Sequence, residues 1–171
     1  MGCACPLHEG SNATLAWQAA GAIAQNQKHA EFYGFISSGS ESLIVPFAPG
    51  AMPRCVNGAA WTTRKHGMAG NPDCVALEFM AAQVAGDYQN TSAVIISDGQ
   101  PAGPAPMRDS HLVSHTRQMA NALKRHGVRF LSVLVNSYDE SLYPAEVSVK
   151  VNQLKDLRNM ETAFGWLSGT N

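Results

Sequence analysis

The chain has 171 residues, 45% hydrophobic and 15% charged, a composition that specifies one compact domain able to fold without disulfides or a structural metal. Twelve Lys and Arg against 13 Asp and Glu give a formal charge of -1, which argues against a basic nucleic-acid footprint or a polybasic membrane patch. No apolar run approaches the ~18–20 residues of a membrane span, and the opening MGCACPLHEG has neither a basic nor an apolar export region, so a cytoplasmic protein with reduced thiols is expected.

Taken in order, Ala13–Ala30 carries Leu15, Ala16, Ala19, Ala20, Ile23 and Ala24 at helical spacing. Phe32–Ile36 and Leu43–Ala48 are short aromatic and β-branched runs across the turn SSGSES, and they predict adjacent strands. Pro46 makes the second an edge, because proline donates no ladder hydrogen bond. Pro49–Asn71, with four Gly and two Pro, predicts a loop with a short helix near Arg54–Trp61. Pro72-Asp73 opens a helix that Gly86 closes, with Asp73 as its expected N-cap. Ala93–Ser97 is a continuous apolar run, the pattern of a central strand covered on both faces. After GQPAGPAPM, Asp109 caps a helix to about Arg125 whose inner face is Leu112, Thr116, Met119, Ala120 and Leu123, and His126-Gly127 ends it. Val128–Val135 and Val147–Val151 predict strands, and Leu154–Leu167 a closing amphipathic helix. Strands alternating with helices imply an α/β fold with a mostly parallel sheet.

In such a sheet, sites form beyond the carboxyl ends of the strands. Ser97-Asp98-Gly99 sets a carboxylate there, suited either to a cation or phosphate or to the backbone N–H groups of a tight turn. Gly70-Asn71-Pro72-Asp73-Cys74 sets a second carboxylate at a helix N-terminus, which the helix dipole favours with or without a metal.

In combination, GNPDCVAL before a helix, AVIISDGQP ending a strand, and HLVSHTRQMANALKRHGVRFLSVLV as the next helix and strand resemble the von Willebrand factor A domain family. The nearest subgroup is the A-type domain at the C-terminus of the cobalt-chelatase T subunit, with Cys74 in place of that subgroup's Gly. The likeness runs from about Ala13 through Ser141-Leu142-Tyr143-Pro144 to LKDLRNMETAFGWL, so all 171 residues are expected to form one domain with a divergent or truncated segment at 1–12. It implies a Rossmann-like three-layer sandwich and a cation held by three loops. Oxygen ligands with retained water suit Mg²⁺, with Mn²⁺ or Ca²⁺ as substitutes. By that resemblance Asp98 is the third-loop acid and Asp73 lies in the second loop. The family's Asp-x-Ser-x-Ser is replaced by Glu9-Gly10-Ser11-Asn12-Ala13, so Glu9 and Ser11 are the first-loop candidates.

The apolar strand that should precede that motif is also missing, since Cys3–His8 contains a Pro and no β-branched residue. Three explanations stand open: MGCACPLHE fills the slot as a degenerate strand, the chain is truncated relative to a longer parent, or another chain supplies the strand, which would make a homo-oligomer. Cys3-x-Cys5 with His8 crowds three soft-metal donors into a chain terminus. Pro6 stands where myristoylation after Met1-Gly2 needs Ser or Thr. His111 and His115 are spaced i, i+4 without the Glu of His-Glu-x-x-His and are expected on the solvated side of their helix.

The expected function is a non-catalytic interaction module whose partner, in the resembled subgroup, is an AAA+ ATPase of a chelatase-type machine. Its contact residues would be Asn71, Gly99 and Gln100, with Asp98, Asp73, Glu9 and Ser11 at the metal. Two alternatives are a metal-assisted hydrolase or phosphoryl-transfer enzyme using Asp98, and a structural component with a degenerate metal site. No Gly-x-Ser-x-Gly elbow or phosphate-binding Gly-x-x-x-x-Gly-Lys loop is present.

Overall fold

The computed structural model describes residues 12–27, 29–38, 41–46, 72–101, 109–136, 140–143 and 145–169. It is a mixed α/β structure with four α-helices and five strands among those residues. Helix α1 (Asn12–Asn26) is followed by β1 (Tyr33–Ser38) and β2 (Glu41–Pro46), which pair antiparallel from Tyr33 opposite Pro46 to Ser38 opposite Glu41. Helix α2 (Asp73–Gln83) then leads to β3 (Ser92–Ser97), α3 (Asp109–Arg125), β4 (Arg129–Val135), β5 (Val147–Val151) and α4 (Met160–Leu167). Strands β3, β4 and β5 form a three-stranded parallel sheet in that order.

Alternation along the strands divides the interior into two cores, one on each face of this sheet. On one face Leu131, Val133, Val135, Val149 and Val151 pack with Leu15, Ala19 and Ile23 of α1 and with Met160, Ala163 and Trp166 of α4. On the other, Ala93, Ile95, Phe130 and Leu134 pack with Leu77 of α2 and with Ala120 and Leu123 of α3. Strand β4 is buried along its length after Arg129, which explains why VRFLSVLV reads as a continuous apolar run. Its one polar interior side chain, Ser132, is matched across the sheet by Ser148, the hydroxyls 2.7 Å apart.

Helix α3 stops because Gly127 adopts φ +103° and permits a Schellman turn, in which Val128 N–H donates to Leu123 C=O and Gly127 N–H to Lys124 C=O. Its buried face is Leu112, Thr116, Ala120 and Leu123, as the spacing predicts, with Met119 half-buried.

Two expectations change, the cap of α2 and the closing helix. Pro72, not Asp73, holds the cap position of α2; Asp73 is the first helical residue, and the first turn closes on the Pro72 carbonyl through the Val75 and Ala76 N–H groups. Among the described residues β3 pairs only with β4, which is the middle strand of the described sheet, and the segment MGCACPLHE expected beside β3 lies outside them; Ile95 is buried and Ile96 half-buried. The closing segment is not one helix. Leu154–Asn159 is a 3-10 helix, tightened where the Asp156 carboxylate accepts the Asn152 and Gln153 N–H groups, and α4 starts at Met160. The predicted loop over Pro49–Asn71 and the segment Cys3–His8 lie outside the described residues. Among the described residues no helix is long and apolar enough to cross a membrane.

Candidate functional site

The parallel pairing of β3 and β4 brings Ser97-Asp98 and Asn136 out at the same sheet edge, where α1 also begins. A chain of side-chain hydrogen bonds joins the three elements. Asn136 donates its amide to Asn12 Oδ1 at 2.8 Å, and Asn12 donates to Asp98 Oδ2 at 3.2 Å. Asn136 adopts φ +47°, a left-handed conformation that asparagine tolerates better than most residues. The other Asp98 oxygen accepts the Gln100 N–H at 3.0 Å, and Gly99, at φ +72°, donates its N–H to Ser97 Oγ at 3.1 Å. Asp98 is thus both the turn-forming residue and a half-exposed carboxylate facing an amide from another element.

Beneath this edge lies a second, buried group. Asp73 is 1% exposed at the start of α2, and the Tyr143 hydroxyl donates to its Oδ1 at 2.8 Å. Ser97 joins the same network, bonding to both Asp73 and Tyr143. Loss of water drives the Asp73 carboxyl up from the ordinary 3.8 to about 6, against the opposing effect of the Tyr143 and Ser97 hydrogen bonds. Burial and the neighbouring Asp73 charge also hold the Tyr143 phenol well above its ordinary value, so it stays a donor. The next residue, Cys74, is a buried free thiol that desolvation likewise raises.

The structure therefore brings Asp73 and Asp98 together through Ser97, while Gly99 and Gln100 form the turn at the same edge; Gly99 is buried and Gln100 exposed. Glu9, Ser11 and Asn71 lie outside the described residues. Among the described residues no three His, Cys, Asp or Glu side chains are gathered tightly enough to hold an ion. Among the described residues at this edge, Asp98 offers carboxylate oxygens to a cation and Asn12 an amide oxygen if its amide turns, while Asp73 is hydrogen-bonded to Tyr143 and Ser97.

Sequence reasoning did not single out Asn12, Asn136 or Tyr143 as site residues. Asn136 could have been found by the rule that located Asp98, since it directly follows the strand VRFLSVLV. Tyr143 gives no such signal, because only folding carries it back to the start of α2. No family model matches the chain, and no curated protein or solved structure matches it either.

Proposed function

We propose that the chain is a non-catalytic binding module of the von Willebrand factor A type, engaging a protein partner through the carboxyl edge of its parallel sheet, with Mg²⁺ or a related divalent cation strengthening the contact at Asp98. The observation that carries this reading is the meeting of Asn12, Asp98 and Asn136 from three separate elements at one edge. Such an edge offers a carboxylate, two amides and an exposed Gln100 for recognition. The full three-layer sandwich of that family, the cytoplasmic setting and the AAA+ ATPase partner belong to the same proposal. The sandwich and the partner rest on the order of the GNPDCVAL, AVIISDGQP and HLVSHTRQMANALKRHGVRFLSVLV stretches in the sequence, and the cytoplasmic setting on its few cysteines.

The alternative of a metal-assisted hydrolase has one observation in its favour, the Asp73 carboxyl at about 6, within the range of a general base. Its 1% exposure opposes that role, because a base must reach the proton that it takes.

Calorimetric titration of the whole chain with Mg²⁺ and Mn²⁺, for wild type and Asp98→Ala, is the direct test. The reading expects saturable binding that the substitution abolishes. It also expects a chelatase-type AAA+ ATPase to bind the wild-type chain more tightly with Mg²⁺ than with chelator. Cation binding unchanged in Asp98→Ala would remove Asp98 from the site, and ATPase binding unaffected by both Asp98→Ala and Gln100→Ala would remove the edge from the interface.

A further inference from the structure

Helices α2 and α3 pack side by side over the second core, and their outer faces place Glu78 against His115. Glu78 Oε1 lies 3.2 Å from His115 Nε2, with the side chains 48% and 41% exposed. That is an ordinary distance for a hydrogen-bonded ion pair. Two zinc ligands at about 2.0–2.1 Å from the ion stand roughly 3.3 Å apart, so this pair would need little movement to share one. His111 is one turn before His115 on α3 and is exposed. Residues at i and i+4 have Cβ atoms about 5–6 Å apart on one helix face, a spacing that lets two imidazoles reach a shared ion.

We propose that Glu78, His111 and His115 form a surface site for a borderline divalent ion of the Zn²⁺ type, bridging α2 and α3 and separate from the carboxyl edge around Asp98. Neutral imidazole is a good ligand for such ions, and one carboxylate with two histidines leaves the fourth position to water. In the structure the three donors are not yet gathered. Closing the site requires rotamer changes of these surface side chains, motions of picoseconds to nanoseconds. Imidazole nitrogens set this site apart in preference from an all-oxygen Mg²⁺ site.

The test is calorimetric titration of Zn²⁺ into the full chain carrying Cys3→Ser, Cys5→Ser and His8→Ala, which removes the competing N-terminal donors. Saturable binding is expected, weakened about tenfold or more by His111→Ala and by His115→Ala separately, and several-fold by Glu78→Gln. Because the ion would join two helices only in the folded chain, Zn²⁺ should also raise the Tm, and each His variant should lose most of that rise. Absence of saturable binding would overturn the proposal. So would Zn²⁺ binding insensitive to His111→Ala, which would mean that the ion sits elsewhere or on His115 and Glu78 alone. Asp98→Ala should leave the Zn²⁺ titration unchanged; a loss there would assign the ion to the sheet edge and overturn the separate site.

Discussion

The Asp73 carboxyl makes the stability of this protein depend on pH in a calculable way. In the unfolded chain it titrates near the ordinary 3.8, and in the folded chain near 6. The folded state therefore binds the proton more tightly, and the stability associated with it is fully present below pH 4 and lost as pH rises through about 6. At about 1.4 kcal/mol per pH unit, the ionised form costs on the order of 3 kcal/mol at neutral pH. Asp73→Asn has the same shape, keeps an oxygen for the Tyr143 hydroxyl and carries no charge. Urea melts of both proteins between pH 4 and 8 isolate this one group, because Asp98, Glu78, Cys74 and the histidines are common to both. The variant should match the wild type near pH 4 and exceed it by up to about 3 kcal/mol at pH 7. A stability difference flat across that range, or a variant weaker than the wild type at pH 7, would refute the argument that desolvation dominates at Asp73.

Four further outcomes follow from the same geometry. Tyr143→Phe removes the buried donor to Asp73 and should cost about 1–3 kcal/mol at pH 7 in urea melts, less at pH 4, where the carboxyl is protonated. Phe130→Ala, at a fully buried position of the middle strand, should cost about 3–5 kcal/mol, and a loss below about 1 kcal/mol would show that β4 is not interior. Gly127→Ala puts a Cβ on a left-handed residue and 3.0 Å from Gln89 Cγ, so thermal melts should show a loss of about 1–2 kcal/mol or more. Asp98→Ala removes the acceptor of the Asn12 amide and of the Gln100 N–H at a half-exposed edge, so a loss of about 1–2 kcal/mol is expected, small enough to leave the variant folded for the binding titrations.

The legible parts of this sequence are those where one physical signal dominates. The period of Leu112, Thr116, Ala120 and Leu123 fixes the inner face of α3, and the apolar run Val128–Val135 marks a strand with cores on both sides. Asp98 could be located because a carboxyl strand end is a local feature. Longer-range pairing was not legible. Nothing near Tyr143 in the sequence indicates that it closes over Asp73, 70 positions away, and nothing near Asn136 indicates a bond to Asn12. The cap of α2 was misjudged for a related reason. Asp at a helix start is ordinarily a cap, but this one lies one residue further in and is claimed by tertiary partners instead.

That misjudged cap also bears on why the edge is read as a site. An aspartate at the first turn of a helix gains from the helix dipole when left in water, whereas this one is 1% exposed and raised to about 6. Its hydrogen bonds to Tyr143 and Ser97 lower the cost of burial but do not cancel it, since desolvation remains the largest influence on the carboxyl. For stability alone an asparagine would serve better. Sequences otherwise as locally consistent as this one carry such conflicts mainly where function requires them. The arrangement ties the start of α2 and the segment after β4 to Ser97, the residue immediately before Asp98. On the function proposed above, Asp73 is a support that holds the end of β3, and Asp98 is the group presented to the ligand.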